Sequence, residues 1–358
     1  MERSILISRL VRAKTPVARK TRARRIARSA SPIPQPCVMK LGVIVLNWNG
    51  KEVTPRCLDS LLASDCPADR IVVVDNASTD GSADLVRGRY PQVVLIENDS
   101  NLGFAEGNNV GIRYLLEQGF ELVMLLNNDA VVDAQCLCEM KRAAEREPAA
   151  AYGATIYEMS GPERLWYAGG TISRYTLDAR HHTETAELKG TLRTTELITG
   201  CCMLFRAEAL KKIGLLDEDF FAYYEDVDWC LRAQGAGERL AYVPAAIVRH
   251  DVSHSFQRTG SETGAGRYSW SQSRPLVLYL AYRNRLLLAR KHARGNVHRA
   301  ILLVRRLARA AIHASVLLLS ARSAQALAVT EGTLDGFRSR ARSLRLSRYV
   351  ATALARPR

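Results

Sequence analysis

The residues with the clearest chemical use stand where apolar runs stop. Leu122-Val123-Met124-Leu125-Leu126 gives way at once to Asn127-Asn128-Asp129. A wholly apolar run with polar ends fits a strand covered on both faces, and ligands of open α/β sheets sit outside the carboxyl ends of such strands. A carboxylate there can hold a hard cation, and the cation a diphosphate. The same residues also suit a helix N-cap. Three further clusters repeat the pattern: Asn47-Trp48-Asn49-Gly50 after Leu41–Leu46, Asp75-Asn76 after Ile71–Val74, and His250 after Ala241–Arg249. Strands that run the same way bring their ends to one edge, so clusters remote in sequence can surround one ligand. At that edge Asp75 could accept an N–H of a nucleotide base, and it equally suits an Asx-turn. His250 is of a metal-ligating type, particularly beside a carboxylate. His254 follows four residues later.

Two more segments carry chemistry. Asp217-Glu218-Asp219-Phe220-Phe221-Ala222-Tyr223-Tyr224-Glu225-Asp226-Val227-Asp228-Trp229 interleaves carboxylates with aromatic rings. Acidic residues in a helix's first turn are favoured by its dipole, but this density exceeds what a cap requires. Aromatic walls exclude water and raise a carboxyl's pKa toward general-base duty. Asn101–Asn109 is a glycine-spaced loop opening a helix. It suits either an anion held on backbone N–H groups or close packing. Neither a dinucleotide fingerprint nor a P-loop is present.

The elements that must position these groups alternate. Strands are predicted at Leu41–Leu46, Ile71–Val74, Val93–Ile96 and Leu122–Leu126, and helices at Lys51–Ala63, Ala83–Arg89 and Asn108–Gln118, which is the βαβ pattern of a parallel sheet. After a helix at Ala134–Glu147 the pattern weakens. Glu196–Arg206 and Ala241–His250 read as strands, Ala207–Ile213 and Asp226–Gln234 as helices. A Gly/Ser/Arg-rich stretch at 255–275 has the loop signature, and helical sequence follows. Arg299, Arg306 and Arg309 share one face there. That fits an amphipathic surface helix or one packed back on the body.

The net charge of +15 over 358 residues is unevenly placed. Residues 1–36 carry +9 and residues 283–358 carry +15, leaving −9 for the middle. An acidic body argues against nucleic acid as a partner. Basic ends suit an anionic membrane surface or plain solvation. Eight cysteines without a CxxC pair read as reduced thiols of a cytoplasmic protein. No segment has the roughly 18 unbroken apolar residues of a spanning helix. Residues 1–38 read as a disordered basic extension. Because Met39-Lys40 directly precedes the first strand, translation beginning there is an expectation.

The ordered set Val43–Gly50, Val74–Ser82, Asn101–Gly111, Leu125–Asp129, Thr199-Gly200 and Phe220–Arg232 resembles the inverting family 2 glycosyltransferases. Tyr282-Arg283-Asn284 and the following Leu/Arg helix lean toward rhamnosyl- and galactofuranosyltransferase-like members. The resemblance implies an α/β GT-A fold, with a Rossmann-like, mostly parallel central sheet flanked by helices. It would span residues 40–255, with residues 256–358 as a helical appendage. It implies a nucleotide-diphosphate sugar donor, a glycan or lipid-linked acceptor, and Mg²⁺ or Mn²⁺. Asp75 is then expected to read the base, and Asn47, Asn49, Asn76, Gly103, Asn109, Asn128, Gly200 and Trp229 to line the substrates. Asp129 matches the metal carboxylate, Asp226 the general base, and Glu225 the residue that tunes it. Asn127 stands where the family's first metal carboxylate would be, so His250 is expected as Asp129's partner. A metal-dependent nucleotidyltransferase and a non-catalytic sugar- or nucleic-acid-binding scaffold are the rival readings. The protein is expected in the cytoplasm, peripheral to the membrane's cytoplasmic face.

Overall fold

A computed structural model describes residues 39–184, 192–251, 258–259, 267–268, 274–338 and 344–354, which fall within one compact unit. His254 and the basic residues 1–36 lie outside the described residues.

The first half alternates as the sequence demands: β1 (Leu41–Asn47), α1 (Thr54–Leu62), β2 (Arg70–Asp75), α2 (Ser82–Arg89), β3 (Val94–Glu97), α3 (Gly103–Glu117) and β4 (Leu122–Asn127). These strands pair in parallel in the order β3, β2, β1, β4. Their continuous apolar character follows from cover on both sides. Val43, Val45 and Met124 pack with Leu58 and Leu61 of α1 on one face. Ile44, Val72 and Leu125 pack with Ile112 and Leu115 of α3 on the other.

The second half is β5 (Ala130–Val132), α4 (Cys136–Arg146), β6 (Ala151–Glu158), β7 (Gly161–Tyr167), β8 (Gly170–Ile172), β9 (Ala179–His181), β10 (Arg193–Thr195), β11 (Cys202–Arg206), α5 (Ala207–Ile213), α6 (Glu225–Gly235) and β12 (Leu240–His250). Here the sheet turns from parallel to mixed. β11 runs antiparallel between β4 and β6, and β12, parallel to β6, pairs antiparallel with β5 and β10. The sheet is parallel in its first half and mixed in its second. A bulge between Val243 and Ile247 lets the end of β12 lie beside both β6 and β5, which delivers His250 opposite Ala130.

The C-terminal helices are α7 (Pro275–His292), α8 (Gly295–Leu319), α9 (Ser323–Arg338) and α10 (Leu344–Leu354). They form the C-terminal helical region, and α7 packs into the body. Leu287 and Leu288 of α7 belong to the same core as α3 and the sheet, and Arg283 and Asn284 are wholly buried. On α8, Leu302, Arg306, Ala310 and Leu317 turn inward. Arg306 is buried there, while Arg309 on the same side of the helix is half-exposed. Val297, Ile301, Val304, Ile312, Val316 and Leu319 are exposed instead.

The cysteine reading also needs correction. Cys66 and Cys138 form a disulfide, with Cα atoms 5.2 Å apart across 72 residues of sequence. The segment after α1 and the first turn of α4 meet there, a contact that cysteine spacing does not reveal. Cys57, Cys136, Cys201, Cys202 and Cys230 remain buried thiols.

Candidate active site

The end of β1 is organised around one amide. Asn47 Nδ2 donates to Asp75 Oδ1 at 2.6 Å and to Ser82 Oγ at 2.8 Å. Its Oδ1 accepts from Thr54 Oγ1 at 2.7 Å and from Asn128 Nδ2 at 3.2 Å. Asp75, 2% exposed, also accepts from Ser78 N at 2.8 Å and Ser78 Oγ at 2.7 Å. The backbone bond from Ser78 reaches three residues back rather than the two of an Asx-turn, and it orients the carboxylate. Oδ2 accepts only the Ser78 N–H among these bonds, and a carboxylate oxygen has two lone pairs. Asn49, at φ 51°, accepts from Thr79 N at 2.7 Å, so the loops after β1 and β2 form one rim. Thr54, Ser78 and Ser82 are support residues not singled out from the sequence, although Ser78 and Ser82 lie inside the quoted motif.

The Asn101–Gly111 segment is a packing device. A side chain on Gly107 would meet Leu46 at 2.6 Å, and one on Gly111 would meet Ile44 at 2.9 Å, so their spacing of one helical turn lays α3 on β1. Gly103, at φ 80°, leaves room for Phe221, whose ring a Cβ would approach to 2.5 Å. The N–H groups of Phe104 and Ala105 both donate to Phe221 O. That carbonyl occupies the helix N-terminus where an anion was considered. Gly103 and Asn109 sit within this packing contact. Asn109 Nδ2 donates to Leu216 O at 2.8 Å, and its Oδ1 accepts from Leu216 N at 3.1 Å. Asn76 spends its amide on Gly103 O at 2.9 Å. Trp229 is fully buried, edge-on to Phe205, and donates to Gly214 O at 2.9 Å. It offers no face to a sugar.

Asp129 and His250 do meet. Strand pairing of β5 with β12 sets His250 Nε2 3.0 Å from Asp129 Oδ1, and Asn127 Nδ2 lies 3.4 Å from the same nitrogen. Asp129 Oδ1 and His250 Nδ1 are buried without a hydrogen-bond partner. Among the described residues no third His, Cys, Asp or Glu completes a metal cluster. Burial, and then the charge of Asp129, pushes the Cys57 and Cys201 thiols well above their usual range. One carboxylate and one imidazole, leaving further positions open, fit Mg²⁺ or Mn²⁺, which take their remaining ligands from water and substrate phosphates.

The acidic-aromatic loop is strained and clamped. Phe221, Tyr223 and Tyr224 have φ of 62°, 69° and 75°, a conformation costly for side chains of this size. Asn284 of α7 holds it by donating to Phe220 O at 2.9 Å, Ala222 O at 2.8 Å and Tyr223 O at 2.7 Å. Arg283 adds a bond to Asp219 O at 2.7 Å. Asp228, in turn, is held by Arg232 at 2.7 Å and His292 at 2.8 Å. The loop thereby places Glu225 and Asp226 at the start of α6. Asp226 accepts from Gly200 N at 3.0 Å and Val227 N at 2.8 Å. Burial lifts its carboxyl above the usual range despite those bonds. Burial, followed by the charge of Asp226, lifts Glu225 much further, and Glu225 Oε2 has no partner. The phenol of Tyr223 is pushed up to about 12 by burial and then by Glu225, with Asp129 also contributing.

One turn joins the two carboxylate centres. Gly200 N donates to Asp226, and the next residue, Cys201, accepts from Asn127 N at 2.9 Å through its carbonyl. Gly200 has no side chain because a Cβ would crowd Phe104 at 3.1 Å. The nucleotide-type rim, the metal-type pair and the buried acid pair thus lie around the strand ends.

A family model described as glycosyltransferase-like family 2 matches residues 39–269. The chain belongs to that family and is a glycosyltransferase. Among its relatives is the N-acetylglucosaminyl-diphospho-decaprenol L-rhamnosyltransferase of Mycobacterium tuberculosis, 30% identical over 240 residues that cover 61% of this chain and 78% of that one. A dTDP-rhamnosyl transferase of Shigella flexneri is 26% identical, covering 51% of this chain and 60% of its own length. A galactofuranosyltransferase of Mycobacterium tuberculosis is 28% identical, covering 52% and 61%. The crystal structure of GalNAc-T7 with UDP, GalNAc and Mn²⁺ aligns at a TM-score of 0.50 and 14% identity, over 60% of this chain and 44% of that one. That likeness bears on the fold, which is the GT-A arrangement. Family membership and fold set aside the nucleotidyltransferase and the non-catalytic scaffold.

Proposed function

We propose that the enzyme transfers a sugar, rhamnose or similar, from a nucleotide-diphosphate sugar to a hydroxyl of a glycan or lipid-linked acceptor, inverting the anomeric configuration, in surface polysaccharide synthesis. The observation that carries this reading is the Thr199–Cys201 turn, which bonds the base Asp226 on one side and the end of β4, beside Asp129, on the other. A base and a diphosphate site held by one rigid turn suit an in-line displacement.

Asp75 would meet the base and the Asn47–Asn49 rim the nucleoside. Asp129 and His250 would hold Mg²⁺ or Mn²⁺, which neutralises diphosphate charge when bound. Asp226, ionised and oriented by the N–H groups of Gly200 and Val227, would take the acceptor hydroxyl's proton as the oxygen–C1 bond forms and the bond from C1 to the diphosphate breaks. Inversion follows because one displacement occurs. Glu225, kept neutral by burial, can donate a hydrogen bond to the acceptor.

The Mycobacterium relative's name specifies an acceptor with a diphosphate-linked decaprenol, which supports a lipid-linked acceptor here. The apolar stripe on α8 supports an anionic membrane surface as partner: exposed Val297, Ile301, Val304, Ile312, Val316 and Leu319 are flanked by Arg305 and Arg309, the makings of an interfacial helix. No helix among the described residues is long and apolar enough to cross a membrane.

The test is a panel of nucleotide-sugars assayed for release of nucleoside diphosphate with and without Mn²⁺. One donor should turn over with metal only. Asp129→Asn should abolish the gain in nucleotide affinity that metal confers, measured by calorimetry. No turnover of any donor, or unchanged metal-dependent affinity in Asp129→Asn, would overturn the respective assignment.

A further inference from the structure

Beside the Asp129–His250 pair stands Trp166, a half-buried residue of β7. The ladder between β7 and β6 is irregular at this point: Tyr167 pairs with Ile156, and Leu165 with Tyr157. Two successive residues of β6 thus oppose residues of β7 that are two apart, and Trp166 is the extra one, a β-bulge. Bulges re-aim side chains next to active sites. Successive strand residues ordinarily point to opposite faces. Here Trp166 and Tyr167 both meet the ring of His181 edge-on, at centroid distances of 4.7 and 5.2 Å. His181, which ends β9, is also hydrogen-bonded to the Trp166 backbone. Held in this way, the indole meets the His250 ring at 5.2 Å between centroids, with the planes 61° apart.

That contact matters because of what His250 lacks. A metal-ligating imidazole ordinarily donates from its second nitrogen to a carboxylate, a carbonyl or water, and this bond fixes the ring. In His250, Nε2 faces Asp129, so the second nitrogen is Nδ1, which is buried without a hydrogen-bond partner. Pairing with β6 and the Met159 N–H, which donates to the His250 carbonyl at 2.9 Å, secure the backbone. Backbone bonds leave the side-chain torsions free, and ring packing remains to hold them. We propose that Trp166 is a positioning residue, whose indole fixes the His250 ring so that Nε2 faces an ion bound at Asp129. The proposal rests on the reading of Asp129 and His250 as a metal pair. An indole N–H is a donor only, so Trp166 supplies no ligand atom and acts through His250.

The test titrates Mn²⁺ alone into the full chain and reads the free ion by electron paramagnetic resonance. Wild type is compared with Trp166→Ala, Trp166→Phe, His250→Ala and the double variant W166A/H250A. W166A should bind Mn²⁺ roughly tenfold more weakly, as on losing a ligand's support. W166F keeps a ring and should recover most of that loss. In the H250A background W166A should cost nothing further, because its effect passes through His250. A tryptophan that served only the fold would weaken binding equally in both backgrounds. Should W166A not fold, Trp166→Leu, apolar but without a ring, takes its place in the cycle. Wild-type affinity in W166A, or a second tenfold loss in the double variant, would overturn the role of Trp166 and leave the metal pair standing. Unchanged affinity in H250A, or no binding to wild type at millimolar Mn²⁺, would overturn the metal pair itself, and the role of Trp166 with it.

Discussion

Glu225 and Asp226 are adjacent carboxyls in opposite circumstances. Asp226 has two backbone N–H groups to stabilise its charge, whereas Glu225 Oε2 has none. Their proton affinities must therefore separate, with Glu225 keeping its proton to higher pH, which is how neighbouring acids acquire different roles. The same shift affects stability. A carboxyl whose folded pKa is raised contributes stability that is complete below its unfolded pKa and is lost as pH rises through the folded value. Glu225→Gln keeps the neutral form at every pH. Its Tm should accordingly exceed that of wild type increasingly as pH rises above the ordinary carboxylate range. Parallel Tm curves for the two proteins from acid to neutral pH would show that Glu225 is not held neutral.

Among the elements, the α7 helix matters most for the site, and its role was the least legible beforehand. Tyr282-Arg283-Asn284 could be read as a motif, but the bonds from Asn284 reach carbonyls more than 60 residues away, and no local pattern encodes such a contact. By contrast the strand ends were legible, because a switch from apolar to polar residues marks both where a buried strand stops and where a ligand can sit. Gly103, Gly107 and Gly111 fall between these cases. Their four-residue spacing is a helix-face signal, yet as part of a loop motif they suggested an anion site until the Phe221 carbonyl was seen in that place. Trp229 is a related case: aromatic residues near carboxylates serve a core as readily as a sugar, and Trp229 is buried in the core. Asn284→Ala removes the side-chain donor to the carbonyls of Phe220, Ala222 and Tyr223, of which Phe220 O keeps the Ala222 N–H. It should cost about 1–3 kcal/mol of stability, read from urea denaturation, and should lower transfer more than donor affinity, since α7 holds the base and not the nucleotide rim. An equal loss of both would contradict that division.

For the whole molecule, the mixed sheet joins two halves with different tasks. The parallel half, β3-β2-β1-β4, ends in the rim around Asn47 and Asp75. The half containing β11, β6 and β12 delivers Gly200 and His250, and α6 and α7 build the base against it. Beyond the sequence boundary near residue 255, Leu287 and Leu288 of α7 pack into the same core as the sheet. A chain lacking α7 would expose Leu287's partners in the core and release the strained loop. The central claim is that the nucleotide is held by the Asn47–Asp75 rim and the Asp129–His250 pair, and the proton is removed by Asp226, which holds neither. Asp226→Asn in the full chain tests it most directly, with nucleoside diphosphate affinity measured by calorimetry beside the rate of sugar transfer. The account expects affinity within experimental scatter of wild type and a transfer rate lower by roughly 10²–10⁴. Near-normal transfer by Asp226→Asn, with nucleotide binding intact, would contradict it.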